Sequence, residues 1–157
     1  MNFLIILATG FIATGLMSLL LSFITRSRLA NADMIRAIGS LYTGSYENAL
    51  VPGLIIQFAS GVFFAFAYFM VMNFFFTPTL LSGILGGLVI GLAHGLIVGF
   101  ALVITVAEHH PLERFRKAGL TVASSHIAGH VIFGLTVGVI YAISKIEVIN
   151  SAYAYTF

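Results

Sequence analysis

The chain has 157 residues, of which 60% are hydrophobic and 8% are charged, whereas a soluble domain carries about 25% charged residues. This composition excludes a water-soluble globular domain, and a formal net charge of +2 gives no indication of nucleic-acid binding. The sequence contains no cysteine, which excludes disulfides and thiolate ligands. We therefore expect any bound metal to be held by nitrogen or oxygen atoms.

Four apolar segments follow one another along the chain, at residues 3–25, 50–76, 80–107 and 120–144. Each is longer than the roughly 20 residues that a helix needs to cross a bilayer core. The sequence thus predicts an all-α fold, a four-transmembrane-helix bundle that forms a single integral membrane domain over residues 1–157.

The basic side chains are concentrated in two of the connections. Six of the seven lie at 26–49 or 108–119, namely Arg26, Arg28, Arg36, Arg114, Arg116 and Lys117. Cytoplasmic loops carry an excess of Lys and Arg, and such cations also contact anionic headgroups. We therefore expect both of these loops to be cytoplasmic and both termini to lie outside.

The first of these loops contains a candidate short helix. Asn31 can cap it, Asp33 suits its first turn, and Gly39 is a plausible end. Its apolar residues share one side, which predicts a helix lying flat at the headgroups. An ordered loop with a single helical turn is the alternative.

The third apolar segment carries a glycine at every fourth position. The row consists of Gly83, Gly87, Gly91, Gly95 and Gly99, and the fourth segment continues the same spacing with His126, His130, Gly134 and Gly138. Small residues at this spacing let two membrane helices approach closely. We expect these glycines to pack helices together within the chain or against another subunit, and a substrate or lipid groove is the alternative.

All five histidines lie in the second half of the chain. His126 and His130 share one helix face, and His94 lies at a similar depth on the preceding helix, so the three could share a ligand. Candidate ligands of a transition metal (Cu, Fe or Zn) are His94, His126 and His130, with Glu108 and His109 nearer the cytoplasm. Two opposed imidazoles could instead hold a b-type heme, and interhelical hydrogen bonding is the structural alternative.

Several short motifs occur together in this order: the segment from Asp33 to Gly39, then Ala93-His94-Gly95, His110-Pro111, and the His126/His130 pair. In this combination the chain resembles small uncharacterised four-helix bacterial membrane proteins. The resemblance implies a four-helix fold and a location in the plasma membrane of a bacterium or archaeon. It implies no activity, cofactor or catalytic residue.

The sequence contains no motif of a known enzyme class, such as a nucleophile elbow, a phosphate-binding loop or paired carboxylates, and we predict no catalytic residue. The favoured interpretation is an accessory or structural subunit of a larger membrane complex, with other membrane subunits or further copies of the chain as partners in the bilayer. The alternative is a histidine-based heme- or metal-binding bundle for electron transfer or metal handling. Proton or ion transport ranks third.

Overall fold

A computed structural model describes residues 2–154, with the backbone alone for residues 105–107 and 146–154. The described helices are α1 (Phe3–Arg26), α2 (Met34–Thr43), α3 (Leu50–Phe75), α4 (Leu80–Ala101), α5 (Ala107–His109), α6 (Glu113–Arg116) and α7 (Leu120–Ala154). A 3-10 turn at Glu47–Ala49 precedes α3, and a wider π-helical turn at Leu102–Val106 joins α4 to α5. Helices are the only regular secondary structure in residues 2–154.

Four of these helices are long and apolar enough to cross a membrane. The apolar stretches run over Phe3–Arg26, Glu47–Phe75, Leu80–Ile104 and Leu120–Lys145. They coincide with the four predicted segments, because a continuous apolar run of this length is the strongest signal that a sequence carries. The expectation of an all-α bundle with four such helices is therefore confirmed.

The four long helices alternate in direction. The two basic loops and α2 lie at one end of the bundle, called here the basic end; the Phe76–Thr79 connection and the start of α1 lie at the other, called the turn end. α4 packs on α7, α7 on α1 and α1 on α3, whereas α3 and α4 touch each other little. The bundle is thus closely packed on three sides and loosely packed on the fourth.

The α4–α7 contact is made by backbone against backbone. A Cβ atom built at Gly87 would collide with the carbonyl oxygen of Gly134, and one at Gly83 would collide with that of Gly138. The same register continues toward the basic end, where Gly99 faces the carbonyl of Ala123. All five glycines of the row on α4 are buried, so glycine is what allows these helices to come this close.

The helix in the first loop differs from its predicted bounds. Asp33 caps α2, its Oδ1 accepting from the amide of Arg36 at 3.2 Å, whereas the Asn31 amide donates to the carbonyl of Arg114 at 3.0 Å. The helix runs past Gly39 to Thr43 and ends at Gly44, which has a left-handed φ of 63°. Gly39 therefore lies inside the helix and does not end it. Because it has no side chain, α2 can pack closely against the backbone of Ala49 at this position.

His110 fixes the second basic loop to α2. Its side chain is fully buried; Nε2 donates to the carbonyl of Ala37 at 3.0 Å, and Nδ1 accepts from the amide of Leu112 at 3.0 Å. Arg116 Nε donates in turn to the His110 carbonyl at 2.6 Å. Both imidazole nitrogens of His110 are therefore satisfied, which makes it a structural histidine.

Candidate functional site

A cavity of about 170 Å³ lies inside the bundle on the loosely packed side. Residues of α1, α2, α3, α4 and α7 line it: Thr14, Met17, Met34, Ile38, Gln57, Ser60, Gly61, Phe64, His94, Val98, His130 and Phe133. A single water needs roughly 10–15 Å³ of such space, so the cavity has room for an ion with its ligands or for several waters. We call it the central cavity.

His94 reaches the central cavity from α4. Its Nδ1 lies 3.2 Å from the Tyr68 hydroxyl, and its ring lies 4.2 Å from that of Phe64. Its Nε2 is buried and has no hydrogen-bond partner among the described residues. When Nδ1–H donates to Tyr68, Nε2 carries a lone pair with no protein donor to satisfy it.

His130 reaches the same cavity from α7. Its Nδ1 lies 2.8 Å from the carbonyl oxygen of His126, and because a carbonyl can only accept, Nδ1 carries the proton. The lone pair of the neutral ring is then on Nε2. The rings of His94 and His130 meet edge to face with their centroids 4.5 Å apart. Two imidazoles with available nitrogen atoms are therefore in direct contact at mid-depth in the bundle.

The other predicted ligands do not join this pair. His126 lines a separate pocket of about 40 Å³ near the basic end, together with Asp33 and Arg114. Glu108 and His109 are exposed and do not line the central cavity. Within the part of the chain whose side chains are described, no three His, Asp or Glu residues are grouped so that they could hold a metal ion.

A heme does not fit the arrangement of the two imidazoles. Two axial imidazoles lie on opposite faces of the porphyrin with nitrogens about 2 Å from the iron, so their ring centres are about 6 Å apart. The direct contact of His94 with His130 at 4.5 Å leaves no space for a porphyrin between them. His126, the other candidate partner of His94, lines a different pocket.

Sequence reasoning missed the two methionines of the site. Met17 of α1 and Met34 of α2 line the central cavity and are both almost completely buried. The expectation of nitrogen and oxygen ligands alone overlooked the thioether sulfur of methionine. A methionine stripe in an apolar helix is indistinguishable in sequence from ordinary core packing, so no pattern could have identified these two residues.

The basic end is stabilised by a cluster around Tyr46. The guanidinium groups of Arg114 and Arg36 lie 3.7 Å and 4.6 Å from the centre of its ring, and its hydroxyl donates to Asp33 Oδ2 at 2.9 Å. Burial and this hydrogen bond raise the pKa of Tyr46, although the two arginines act in the opposite direction. The cluster ties the start of α2 to the turn before α3.

Comparison of the sequence with protein-family models gives no match. Comparisons with curated proteins and with solved structures give no match either.

Proposed function

We propose that this chain is an integral membrane protein that holds a transition-metal ion in its central cavity. The observation that carries the proposal is the contact between His94 and His130, whose rings are 4.5 Å apart and which both border the same cavity. Imidazole suits Cu, Zn, Fe and Ni alike, and metal handling within the membrane is the corresponding role.

The hydrogen bonds of the pair favour ligation. A metal-bound histidine usually donates its second ring N–H to a carbonyl or another acceptor, which fixes the tautomer. His130 makes such a bond to the His126 carbonyl, and the Tyr68 hydroxyl is the acceptor available to His94. Each ring can therefore present Nε2 as a ligand atom.

The separation of the rings also fits two ligands of one ion. With metal–nitrogen bonds of about 2 Å and an angle of about 90–110° between them, two imidazole centres lie about 4.5–5 Å apart. The separation of His94 and His130 is 4.5 Å. This is a geometry for neighbouring ligands, in contrast to the opposed ligands of a heme.

The remaining donors favour copper. Met17 and Met34, whose side chains carry thioether sulfurs, line the cavity, and soft sulfur ligands select Cu(I) among the ions that imidazole binds. Acidic side chains, which hard cations require, do not line this cavity. We therefore propose Cu(I) as the ion, with His94, His130, Met17 and Met34 as the candidate ligands.

Copper binding can be tested on the detergent-purified protein under anaerobic, reducing conditions by titration against a chromophoric Cu(I) chelator. We expect one Cu(I) per chain and an affinity at least about tenfold lower in His130→Asn. His109→Asn is the matched control and should retain the ion. Met17→Leu should weaken Cu(I), and Met70→Leu, which changes an exposed methionine, should not.

Two results would overturn the metal proposal. One is a wild-type protein that binds no more Cu(I) than the double variant His94→Asn, His130→Asn. The other is equal loss of copper in His109→Asn and His130→Asn. Because the chain has no cysteine, thiolates cannot contribute background binding.

The proposed orientation places the basic end in the cytoplasm and both termini outside, with α2 at the level of the headgroups, in the plasma membrane of a bacterium or archaeon. The positive-inside rule supports it, since six of the seven Lys and Arg residues lie in the two loops of that end. Asn48→Cys and Thr77→Cys introduce single thiols at exposed positions of opposite ends. On intact cells an impermeant maleimide should label only Thr77→Cys, and labelling of Asn48→Cys alone would reverse the orientation.

A role as an accessory subunit of a larger membrane complex is the second proposal. Its support is the small extent of the described helices outside the four long ones, of which α2 has 10 residues and α6 has 4 residues. Stoichiometric larger subunits that copurify from native membranes would support it. A chain that purifies alone with bound copper would favour metal handling.

Proton or ion transport has less support. From the basic end, polar groups follow one another from His126 through His130 and His94 to Tyr68. Beyond Tyr68 the core contains the apolar side chains of Phe69, Met72 and Val137, together with Tyr141, which carries a hydroxyl. A proton path needs titratable or hydroxyl groups on both sides of the membrane, and the mainly apolar core beyond Tyr68 provides few of them.

A further inference from the structure

The outer face of the α1–α3 contact has a polar hollow at the basic end. Its volume is about 340 Å³, and it is lined by Ser22, Thr25, Arg26, Asp33, Ile35, Arg36, Tyr46 and Leu50. Two guanidinium groups, three hydroxyl groups and the carboxylate of Asp33 thus border one space. We call it the headgroup pocket.

Both arginines of the headgroup pocket are available to an anion. Lys117 pairs with Glu113 at the same end of the bundle, whereas Arg26 and Arg36 have no carboxylate partner among the described side chains. Arg36 uses Nη1 on the carbonyl of Tyr46 at 2.5 Å, which fixes the position of the guanidinium group. The Asp33 carboxylate accepts from the Tyr46 hydroxyl and the Arg36 amide. Guanidinium groups are the side chains that best match the geometry of a phosphate.

An apolar groove lies farther along the same two helices. It has a volume of about 660 Å³ and is lined by Leu7, Phe11, Leu54, Ile55, Phe58, Ala59 and Val62. The rings of Phe11 and Phe58 stack at 5.3 Å in its floor. All of its lining residues are apolar, which suits a hydrocarbon chain.

The pocket and the groove follow one line along the bundle. On α3, Leu50 of the headgroup pocket is one helical turn from Leu54 of the groove. On α1, Phe11, Gly15 and Arg26 fall within about 60° of arc at 100° per residue. A Cβ at Gly15 would meet no atom within 4 Å, so α1 leaves open space between the two hollows.

The length of this line matches one leaflet of a bilayer. Leu50 and Val62 are separated by 12 residues, which corresponds to about 18 Å of helix. Half of the hydrocarbon core of a bilayer is about 15 Å thick. A phosphate at Arg26 and Arg36 would therefore place an acyl chain beside Phe11 and Phe58, with its end near the bilayer centre.

We propose that the α1–α3 face binds one anionic phospholipid, with its phosphate in the headgroup pocket and one acyl chain in the apolar groove. The inference depends on the proposal that the four helices span a membrane and is independent of the copper site. The bound lipid lies in the leaflet of the basic end.

The probe is phosphatidylglycerol, compared with phosphatidylcholine, added to detergent-purified full-length protein and counted by native mass spectrometry. We expect one phosphatidylglycerol to be retained in preference to phosphatidylcholine. One cation near the membrane surface contributes about 1 kcal/mol to the binding of anionic lipid, so Arg26→Gln should weaken retention about fivefold. Arg28→Gln removes the same charge two residues away, outside the pocket, and should retain the lipid.

A second pair of variants tests the groove. Ala59→Phe fills it, and Ala93→Phe places the same side chain at another exposed position, on α4. We expect only Ala59→Phe to lose phosphatidylglycerol. Glycerol phosphate has the headgroup without acyl chains, and we expect that it does not displace the lipid. Any binding of glycerol phosphate itself should be the same in the wild type and in Ala59→Phe.

The outcomes separate this inference from the proposals on which it depends. Equal retention of the two lipids, or equal weakening in Arg26→Gln and Arg28→Gln, would overturn the lipid site. Displacement by glycerol phosphate would identify a free phosphate site instead, which also overturns it. Release of the chain from membranes by alkaline carbonate would contradict the membrane proposal itself, and would be seen before any lipid is added.

Discussion

The two sides of α4 differ in the size of the residues that they bring into contact with neighbouring helices. Toward α7 it presents a row of glycines, and the two backbones touch at Gly87 and Gly134. Toward α3 it presents His94, which meets the large rings of Phe64 and Tyr68. The glycine side brings the helices together without a gap, whereas the aromatic side holds them apart and leaves the central cavity. The size of the contact residues thus determines where the bundle is solid and where it is hollow.

Replacement of a glycine in the solid contact should have the largest effect on stability. In Gly87→Ala the new Cβ would collide with the carbonyl of Gly134, a backbone atom that cannot turn away. Overpacking of this kind costs about 1–3 kcal/mol. We expect a loss of that size in the free energy of unfolding, measured by SDS titration in mixed micelles with helical circular dichroism as the signal.

Gly15→Ala is the matched control for this substitution. No atom lies within 4 Å of the Cβ position at Gly15, and alanine is favoured over glycine in a helix by about 1 kcal/mol. We expect this variant to be as stable as the wild type or slightly more stable. Equal losses in the two variants would contradict the assignment of the α4–α7 contact as the tightest part of the bundle.

Replacement of a polar group in the wall of the cavity should stabilise the protein, in contrast to the loss of stability expected for Gly87→Ala. Thr14 Oγ1 is buried without a hydrogen-bond partner among the described residues, whereas Thr9 Oγ1 donates to the Ile5 carbonyl at 2.6 Å. An unpaired buried hydroxyl costs about 1–3 kcal/mol. In the metal-free protein, Thr14→Val should therefore raise the free energy of unfolding by about 1 kcal/mol.

Thr9→Val is the control, and it should not stabilise the protein because it removes a hydrogen bond that is made. Both variants exchange a hydroxyl for a methyl group of similar size, so the change in side-chain volume is the same in the two comparisons. A loss of stability in Thr14→Val would mean that the Thr14 hydroxyl makes a hydrogen bond to a molecule inside the cavity. It would contradict the assignment of this hydroxyl as unpaired.

The sequence predicts the two sides of α4 unequally well. The spacing of four puts neighbouring glycines of the row, such as Gly83 and Gly87, within about 40° of each other on the helix whatever the tertiary fold, and in the structure the row lies against α7. The cavity depends on which residues of other helices lie opposite His94, namely Tyr68 and His130. Periodicity along one helix contains no information about these partners, so the histidine pair was predictable only as two residues of similar depth.

The ends of α2 show the same limit on a smaller scale. Local rules named Asn31 and Gly39 as its start and end because each residue type is common at those positions. In the structure Asn31 bonds to Arg114, and Gly39 packs on Ala49. Tertiary contacts of these two residues override their local preferences.

The smallest predicted effect concerns the helix that closes the cavity at the basic end. Met34 and Ile38 of α2 line the cavity, and the hydrogen bond from Tyr46 to Asp33 holds the start of this helix. Because the pKa of Tyr46 is raised above its usual value of 10.0, the protonated phenol stabilises the fold below about pH 10. This contribution is lost as the pH rises through the raised pKa. The α4–α7 contact at Gly87 and Gly134 is made by backbone atoms and should not respond to alkaline pH.

The measurement is hydrogen exchange of the α2 and α4 amides between pH 8 and 11, with rates corrected for intrinsic exchange. We expect protection of α2 to fall above pH 10 while protection of α4 beside Gly87 persists. Tyr46→Phe should lower the protection of α2 at pH 8 and remove most of its pH dependence, and Tyr42→Phe, at an exposed position, should do neither. Protection that falls equally in both helices would show that the cavity and the solid contact open together, because the bundle then unfolds as one unit.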